Sequence, residues 1–390
     1  MRCSDEFERI YHRSPDDETF TPYRVCPIGA HIDHQFGKIT GLAIDKGIRL
    51  SYCAAEDGTI ELTSLQFDKR TSFTIRDVPK HKQNDWADYL RGATVSLGKR
   101  YPLSVGLVGV IDGEMPIGGL SSSAAVVITF MSALCRLNHI DIPQQELILA
   151  AKEAENEYVG VSCGKLDQSC EVYSKKDHLL FMDMKDDSYE LIPQHKSMKP
   201  YRIAILFSGL ERTLVGSKYG MRIDECRAAA YALMAYAGAE YGKFSETVLR
   251  DVPREWYDTY KDRLPETWRR RAEHWYTESE RVEEGAAAWR RGDLDTFGRL
   301  IFESGRSSVE NYEVGSKELI TLYDIMTKTD GIYGGRFSGA GFKGCCMALV
   351  DPDYCESITE KVTKAYLTAF PELTGKFAIR YCQSADGVKI

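Results

Sequence analysis

The loop at residues 116–125 constrains this chain most, because it places two glycines and three serines directly before a long apolar run. That run, residues 126–135, has no Gly or Pro and is apolar on nearly every side, which predicts a buried helix. The N-terminus of such a helix offers unpaired N–H groups and the positive end of the helix dipole, so it can bind an anion. The loop alone is equally consistent with an N-cap preceded by a flexible turn.

The length of 390 residues exceeds what one hydrophobic core usually supports, so we expect two domains, at 1–198 and 199–390. A net charge of −8 without a long basic run argues against nucleic acid as a partner. The polar N-terminus, and the lack of any apolar run of about 20 residues, predict a cytoplasmic protein that does not enter a membrane. Eleven cysteines form no C-x-x-C pair, which predicts reduced and mostly buried thiols.

Hydrophobic patterning predicts strands and helices in both halves of the chain. Strands are expected at 39–50, 62–73, 104–111 and 201–207, and helices at 5–12, 142–159, 220–237 and 255–291, the last broken at Pro265. Residues 179–200 are charged and interrupted by prolines, which indicates an irregular connection. A helix opening at Asp85 carries Trp86 and Tyr89 at i, i+3 spacing, which fits either a core-facing stripe or a platform for a nucleobase.

Several polar clusters have plain structural explanations. His31 and His34 flank Asp33, but no third and fourth ligand stands at a spacing typical of a metal site, so we predict none there. The arginines at 269–271 are expected on a solvated helix face. Asp167, in contrast, follows a turn of small and apolar residues, where a carboxylate is less often just a solvent-exposed group without a function.

The segment 334–350 is rich in glycine, and residues 339–344 match G-x-G-x-x-G. A dinucleotide site would open a helix after a strand, whereas a strand-like run follows here, so the Rossmann interpretation fails on context. The chain also lacks a Walker A loop and the motif set of protein kinases.

Three separated stretches together resemble one family. The segments 24–35, 116–125 and 334–346 are similar to the three motifs of the GHMP small-molecule kinases, in that family's order. Residues 164–168, Tyr219 and residues 298–304 resemble galactokinases in particular, and the resemblance covers nearly the whole chain. It implies an α+β fold of two domains, an N-terminal one like domain 2 of ribosomal protein S5 and a ferredoxin-like C-terminal one, with the active site between them.

One departure from galactokinases concerns the first motif. Galactokinases read Arg-Val-Asn-Leu-Ile-Gly-Glu-His-Thr-Asp, and the Glu that contacts the sugar 6-hydroxyl in that family is Ala30 here. Plant galacturonokinases resemble this chain at that point and at the paired cysteines of the last motif. A Glu about 4 Å from a C6 carboxylate would repel it by roughly 4 kcal/mol at an effective dielectric near 20, so alanine permits an acidic sugar.

The resemblance also implies roles for individual residues. Asp167 would take the proton from the sugar C1 hydroxyl beside Arg24, and Ser123 and Glu155 would bind Mg²⁺. The implied sugar contacts are Ala30, His31, Asp33, Gly164 and Tyr219. The implied ATP contacts are Trp86, Pro116, Gly118, Gly119, Leu120, Ser121, Ser122, Ser123 and Ala124. Segment 335–344 would line the site opposite the phosphates, and the candidates for meeting a C6 carboxylate are His34, Arg212 and Arg222.

The sequence therefore predicts an ATP-dependent sugar 1-kinase that uses Mg²⁺ and makes galacturonate 1-phosphate, as a monomer or weak oligomer. The alternatives are a galactokinase, or a kinase of another hexose or amino sugar. A non-catalytic sugar sensor is disfavoured, because the Ser121–Ala125 loop is complete and both Arg24 and Asp167 are present.

Overall fold

The computed structural model describes residues 3–116, 118–161, 163–210 and 219–390. In these ranges the strands are β1 (Asp17–Val25), β2 (Lys38–Ala55), β3 (Thr59–Ser64), β4 (Lys69–Thr74), β5 (Gly106–Gly113), β6 (His178–Asp183), β7 (Tyr189–Pro193), β8 (Arg202–Phe207), β9 (Ile332–Phe337), β10 (Cys345–Val350), β11 (Ala378–Cys382) and β12 (Ser384–Ala385). The α-helices are α1 (Cys3–Tyr11), α2 (Asp88–Gly98), α3 (Ser122–Leu137), α4 (Gln144–Glu153), α5 (Leu166–Tyr173), α6 (Tyr219–Tyr236), α7 (Arg254–Tyr260), α8 (Glu266–Arg291), α9 (Leu294–Glu310), α10 (Lys317–Met326) and α11 (Cys355–Ala369).

The first sheet is built on β2, a strand of eighteen residues. Its strand order is β4-β3-β5-β2-β6-β7, and β1 and β12 also pair with β2. The pairing of β3 with β5 is parallel and the others are antiparallel. Because β2 is long enough to bond different partners along its length, it joins the motif-bearing strand β1 to β6 on the other side.

The second sheet is antiparallel, in the order β11-β8-β10-β9. Every residue of β10 is buried, which is typical of a central strand covered on both faces. Helices α9, α10 and α11 pack on this sheet. The two sheets thus belong to different halves of the chain, although β12 pairs back with β2 in the first. The proposed division at residue 198 stays a prediction.

Helix α3 is the buried helix that the apolar run predicts. It packs against β1, β2, α2, α4 and α5, and its residues from Ala124 to Cys135 are buried except Val126. Burial of so many apolar side chains, each worth about 1.5–3 kcal/mol, anchors its N-terminus and the preceding loop in the first domain's core.

Two local expectations, a single strand at 62–73 and an irregular connection at 179–200, were wrong in detail. Residues 62–73 form the hairpin β3–β4 instead of one strand, with a turn in which Asp68 has φ 48°. Residues 179–200 contain the hairpin β6–β7, turned at Asp187 with φ 64°. In both cases Asp accepts a left-handed conformation more readily than most residues do, so a charged stretch reverses the chain.

Two further expectations also need correction. Helix α2 begins at Asp88, so Trp86 precedes it and does not share a helical stripe with Tyr89. Arg271 is fully buried instead of solvated, and its guanidinium bonds Glu225, Glu313 and a backbone carbonyl. A buried arginine is tolerated only when its donors are satisfied in this way.

The remaining local expectations are confirmed. The other predicted helices and strands are present within a few residues of their expected ends, and the break at Pro265 separates α7 from α8. The helix expected at 142–159 begins at Gln144, with Pro143 as its N-cap, and runs as α4 followed by a π-helical turn, Ala154–Val159. All the cysteines are free and most are buried. Within the described ranges, each helix is too short or too polar to traverse a bilayer.

Candidate active site

An ion pair joins the end of β1 to the first turn of α5. Arg24 Nε donates to Asp167 Oδ1 at 2.8 Å, with 4% of the Arg24 side chain and 31% of the Asp167 side chain exposed. The register of β1 shifts between Pro22 and Arg24, and such irregularities re-aim a side chain. Burial opposes the charge of Arg24, but Asp167 outweighs it and raises the pKa of the guanidinium. The site therefore contains a permanent cation that orients a partly open carboxylate.

The same guanidinium reaches both glycine-rich segments. Arg24 Nη1 donates to the Gly119 carbonyl at 3.1 Å and lies 3.5 Å from Ser338 Oγ. Gly119 has φ +83°, and a Cβ there would lie 2.7 Å from Cys345 Sγ, so only glycine allows this approach. Segment 335–344 thus packs against the loop, and its expected position opposite the ATP phosphates stays a prediction.

The loop before α3 leads into a helix N-terminus, a kind of structure that can bind an anion. Ser121 adopts φ 58°, and its hydroxyl is buried without a hydrogen-bond partner in the described part of the chain. Helix α3 then begins at Ser122, with Ser123 in its first turn beside the unpaired N–H groups. The other predicted phosphate-binding residues lie in the same loop and turn: Pro116, Gly118, Gly119, Leu120 and Ala124.

Glu155 differs from the other acids of its helix because it is buried, at 3% exposure. It lies in the π-helical turn Ala154–Val159, and such turns recur at functional sites. The Gln168 side-chain amide donates to it, so it faces the helix that carries Asp167. No cluster of three or more His, Cys, Asp or Glu suited to a metal occurs in the ranges described. Glu155 with Ser123 still fits Mg²⁺, which takes one or two protein oxygens together with phosphates and waters.

Asp33 and Gly164 are in contact, as a shared sugar site requires. A Cβ at position 164 would overlap the Asp33 carboxylate, so glycine is needed there. Burial, and then the charge of Asp167, raise the pKa of Asp33 to about 6. The two carboxylates are therefore close enough to influence each other.

Four rings form a cluster beside Asp33. The His31 ring stacks on Tyr312 at 4.7 Å, and Tyr219 lies 6.0 Å from both His31 and His34. Burial lowers the pKa of His31 well below its ordinary value, and its Nε2 has no partner in the described part of the chain. Sequence reasoning missed Tyr312, because nothing in its local pattern marks a residue so distant along the chain.

Helix α8 supports the backbone under this cluster. His274 Nε2 donates to the Ala30 carbonyl at 3.1 Å, and the Gly29 N–H donates to Glu278 Oε1 at 2.7 Å. Burial opposes the charge of Glu278, but Arg281 and Arg336 outweigh it and lower its pKa to about 2. Sequence reasoning also missed these residues of α8, whose polar pattern resembles a solvated face.

Trp86, to which the resemblance assigns the adenine contact, lies just before helix α2. Its ring stacks on Phe67 at 6.1 Å with 18° between the planes, and 44% of Phe67 is exposed. An accessible pair of aromatic faces suits a nucleobase. Phe67 follows strand β3 and was not predicted.

The three residues that were expected to contact a C6 carboxylate differ in their surroundings. Arg222 is engaged with Glu225 and the Glu313 carbonyl. Arg212 lies outside the described residues. His34 is in the ring cluster, but its Nε2 is bonded to the Tyr312 hydroxyl at 2.9 Å.

Residues 86–175 match the GHMP kinases N terminal domain, and residues 286–368 match the GHMP kinases C terminal domain. A galacturonokinase of Arabidopsis thaliana is 37% identical over 95% of this chain and 92% of its own length. The chain belongs to the GHMP kinases. A galactokinase of Roseiflexus sp. (strain RS-1) is 33% identical over 98% of this GHMP kinase and 95% of its own length.

Solved structures of GHMP kinases also match this chain. Lactococcus lactis galactokinase, complexed with galactose, matches with a TM-score of 0.89 at 29% identity, over 99% of this GHMP kinase and 98% of that chain. Methanococcus jannaschii mevalonate kinase shares the fold, with a TM-score of 0.65 at 16% identity over 95% of this chain and 98% of its own. The predicted two-domain GHMP kinase fold is confirmed, and the protein is an ATP-dependent sugar kinase.

Proposed function

We propose that this kinase transfers the γ-phosphoryl group of ATP to the C1 hydroxyl of D-galacturonate. The observation that carries the proposal is Ala30, which stands where galactokinases have the glutamate that contacts the 6-hydroxyl. The similarity to the Arabidopsis galacturonokinase supports it.

The setting of Ala30 favours an acidic sugar. His274 holds the Ala30 carbonyl, and Ala30 is 8% exposed beside the neutral rings of His31 and Tyr312. A glutamate in this buried place would add a second carboxylate to that of the sugar, at about 4 kcal/mol of repulsion, or roughly a thousandfold in binding. For neutral galactose, alanine removes only an acceptor worth about 1 kcal/mol.

At the C1 end, Asp167 is the general base and Arg24 is the charge-stabilising group. The carboxylate takes the C1 hydroxyl proton as that oxygen bonds the γ-phosphorus, and the bond from phosphorus to the β,γ-bridging oxygen breaks. Transfer of this kind depends mainly on positioning and charge stabilisation. A buried Arg24, bonded at 2.8 Å to Asp167, supplies both.

Mg²⁺, when bound, would neutralise charge on the ATP phosphates, with Ser123 and Glu155 as its protein ligands. The phosphates would lie on the loop Pro116–Ala124, where glycine backbone and the first turn of α3 offer N–H donors. The adenine would stack at Trp86, next to Phe67. His31, Asp33, Gly164 and Tyr219 would contact the sugar.

A galactokinase is the second candidate, because the Roseiflexus galactokinase is 33% identical and the Lactococcus lactis galactokinase matches over nearly the whole chain. The two candidate activities share phosphoryl transfer to the C1 hydroxyl, and their sugars differ only in the group at C6. Substrate preference therefore separates them.

The test is an ADP-release assay with Mg-ATP on galacturonate, glucuronate, galactose and N-acetylgalactosamine, with Asp167→Asn protein as the control for contaminating kinases. We expect turnover of galacturonate well above that of the other sugars. Phosphorus NMR of the product should show a phosphate at the anomeric carbon. Preference for galactose would contradict the galacturonate proposal and leave the sugar kinase assignment intact.

A further inference from the structure

The turn 29–31, which contains Ala30, has an unusual backbone. Gly29 has φ 102° and His31 has φ 67°, so the residues on both sides of Ala30 are in the left-handed region. A residue other than glycine adopts this region at a cost in free energy, and the conformation persists only where the surrounding structure fixes it. The contacts that hold this turn are therefore part of how the site around Ala30 is built.

Helix α8 holds the turn through two side chains. Glu278 Oε1 accepts from the Gly29 N–H at 2.7 Å. Four residues earlier on the helix, His274 Nε2 lies 3.1 Å from the Ala30 carbonyl oxygen. Because residues four apart share a helix face, α8 presents an acceptor and a donor side by side to this turn. Both side chains are fully buried, so water does not compete for either bond.

The Ala30 carbonyl fixes the tautomer of His274. A carbonyl oxygen only accepts, so the ring carries its proton on Nε2 and its Nδ1 must accept. Burial lowers the pKa of His274 to about 4, so the ring holds one proton at neutral pH. The Ser307 hydroxyl, 2.9 Å from Nδ1, therefore donates to it. The Asn311 side-chain amide donates to the Ser307 oxygen at 3.2 Å, so a relay of three side chains ends on the Ala30 carbonyl.

The other end of the turn is held independently of His274. Arg281 Nε donates to Glu278 Oε2 at 2.8 Å. The Ser304 hydroxyl and Arg336, which lies on β9, contact Oε1. Burial opposes the charge of Glu278, but the two arginines outweigh it and lower its pKa to about 2. The acceptor for the Gly29 N–H thus stays charged and fixed, so loss of His274 would free only the Ala30 end of the turn.

We propose that His274 is a positioning residue for the sugar, and that Ser307 acts through it by fixing its tautomer. The inference rests on the proposed function, since it explains how the turn assigned to sugar binding keeps its shape. A strained backbone shifts when an anchor is lost, and a misplacement of about 1 Å can reduce catalytic efficiency about a hundredfold. His274 bonds the backbone of the turn and not its side chains, so it serves whichever sugar binds there.

The first experiment compares His274→Met with His274→Gln, using the sugar that the wild-type enzyme phosphorylates fastest. The two replacements are similar in length, but only the glutamine amide can donate to the Ala30 carbonyl. We expect Met to raise KM for the sugar about tenfold to a hundredfold, and Gln to recover most of that loss. KM for ATP should stay near its wild-type value in both. Glu284→Gln, on an exposed part of the same helix, is the control and should change neither constant.

The second experiment is a double-mutant cycle with Ser307→Ala. Alanine removes the hydroxyl that donates to His274 Nδ1, so we expect KM for the sugar to rise several-fold in the wild-type background. In the His274→Met background the same substitution should have no further effect, because methionine has no ring nitrogen to orient. An equal effect in both backgrounds would overturn the claim that Ser307 acts through His274.

The remaining outcomes are distinguishable. A rise in sugar KM in His274→Met that His274→Gln recovers supports the proposal. An equal rise in both variants, or a parallel rise in KM for sugar and for ATP, overturns it and shows that His274 only supports the fold. If both variants melt below the assay temperature, Ser307→Ala decides, because an unchanged sugar KM overturns the proposal and a raised one supports it. Wild-type preference for galactose overturns the proposed function alone, since each comparison uses the preferred sugar.

Discussion

The two ends of the proposed sugar site differ in the charge of the side chains around them. The C1 end holds an ion pair, Arg24 with Asp167. The C6 end holds neutral rings, because burial lowers the pKa of His31, His34 and His274. Phosphoryl transfer needs charge that is always present, whereas recognition of an acidic sugar needs donors and no competing carboxylate. Within one site, reaction chemistry and substrate choice are thus assigned to separate groups.

The largest effect should come from the charged end. Asp167→Asn keeps the shape of the side chain but removes the proton acceptor, so we expect kcat to fall about a thousandfold. Steady-state kinetics with galacturonate would measure the loss. ATP affinity by calorimetry should be unchanged, and a variant with near wild-type kcat would show that Asp167 serves only to hold Arg24.

At the neutral end, Ala30→Glu introduces the missing charge. We expect kcat/KM for galacturonate to fall up to about a thousandfold from repulsion at roughly 4 Å, and activity on galactose to rise. Ala30→Gln is the matched control, because it adds the same volume without charge. If the glutamine variant loses as much on galacturonate as the glutamate variant, crowding and not repulsion sets the preference.

The contact between Gly164 and Asp33 links the two ends. Gly164→Ala places a methyl group where the Asp33 carboxylate lies, so we expect KM for the sugar to rise about tenfold to a hundredfold, as for a displacement near 1 Å. Gly98→Ala is the control, because its added Cβ would meet its nearest neighbour, Leu103, at 3.9 Å. Equal kinetics of the two variants would mean that Asp33 does not position the sugar.

The smallest effect is a pH dependence of Asp33, whose pKa is raised to about 6 from an ordinary 3.8. Below pH 6 the carboxyl is protonated and is a poorer acceptor for sugar hydroxyls, so kcat/KM for the sugar should fall with an apparent pKa near 6. The free energy of unfolding should change with pH in the opposite direction to kcat/KM. The folded state binds this proton more tightly than the unfolded chain, so Asp33's contribution is greatest below pH 3.8 and is lost as pH rises to 6.

Asp33→Asn should flatten both profiles, because the amide does not titrate. Initial rates at low sugar concentration and thermal melts across the same pH series would measure the two trends. An acid limb that persists in the asparagine variant would assign it to another group.

Local patterns predicted much of the fold. The apolar run 126–135 lies within α3, and the break predicted at Pro265 separates α7 from α8. The strand errors were at two hairpins, each of which turns at one left-handed Asp, and the other errors were the start of α2 and the burial of Arg271. Such turns depend on strand partners that lie elsewhere in the chain, so short-range patterning does not predict them.

Motif resemblance predicted which residues would meet at the site. Arg24, Gly119, Asp167 and segment 335–344 do come together, although their roles stay predictions. Tyr312, His274 and Glu278 were missed, since their local sequences look ordinary. His274 and Glu278 lie on α8, and Tyr312 follows the end of α9. Only packing of α8 and α9 against the first motif gives them a role.

The sequence by itself determined the family and the reaction, and it predicted the place of substrate choice, because glycine loops, a paired Arg and Asp, and one alanine can be recognised from residue types alone. Only the tertiary structure determined whether the ionisable side chains near Ala30 are charged. Whether a histidine is neutral and which groups its ring contacts depend on burial and on partners hundreds of residues away. Those quantities belong to the folded environment and not to any segment of the chain.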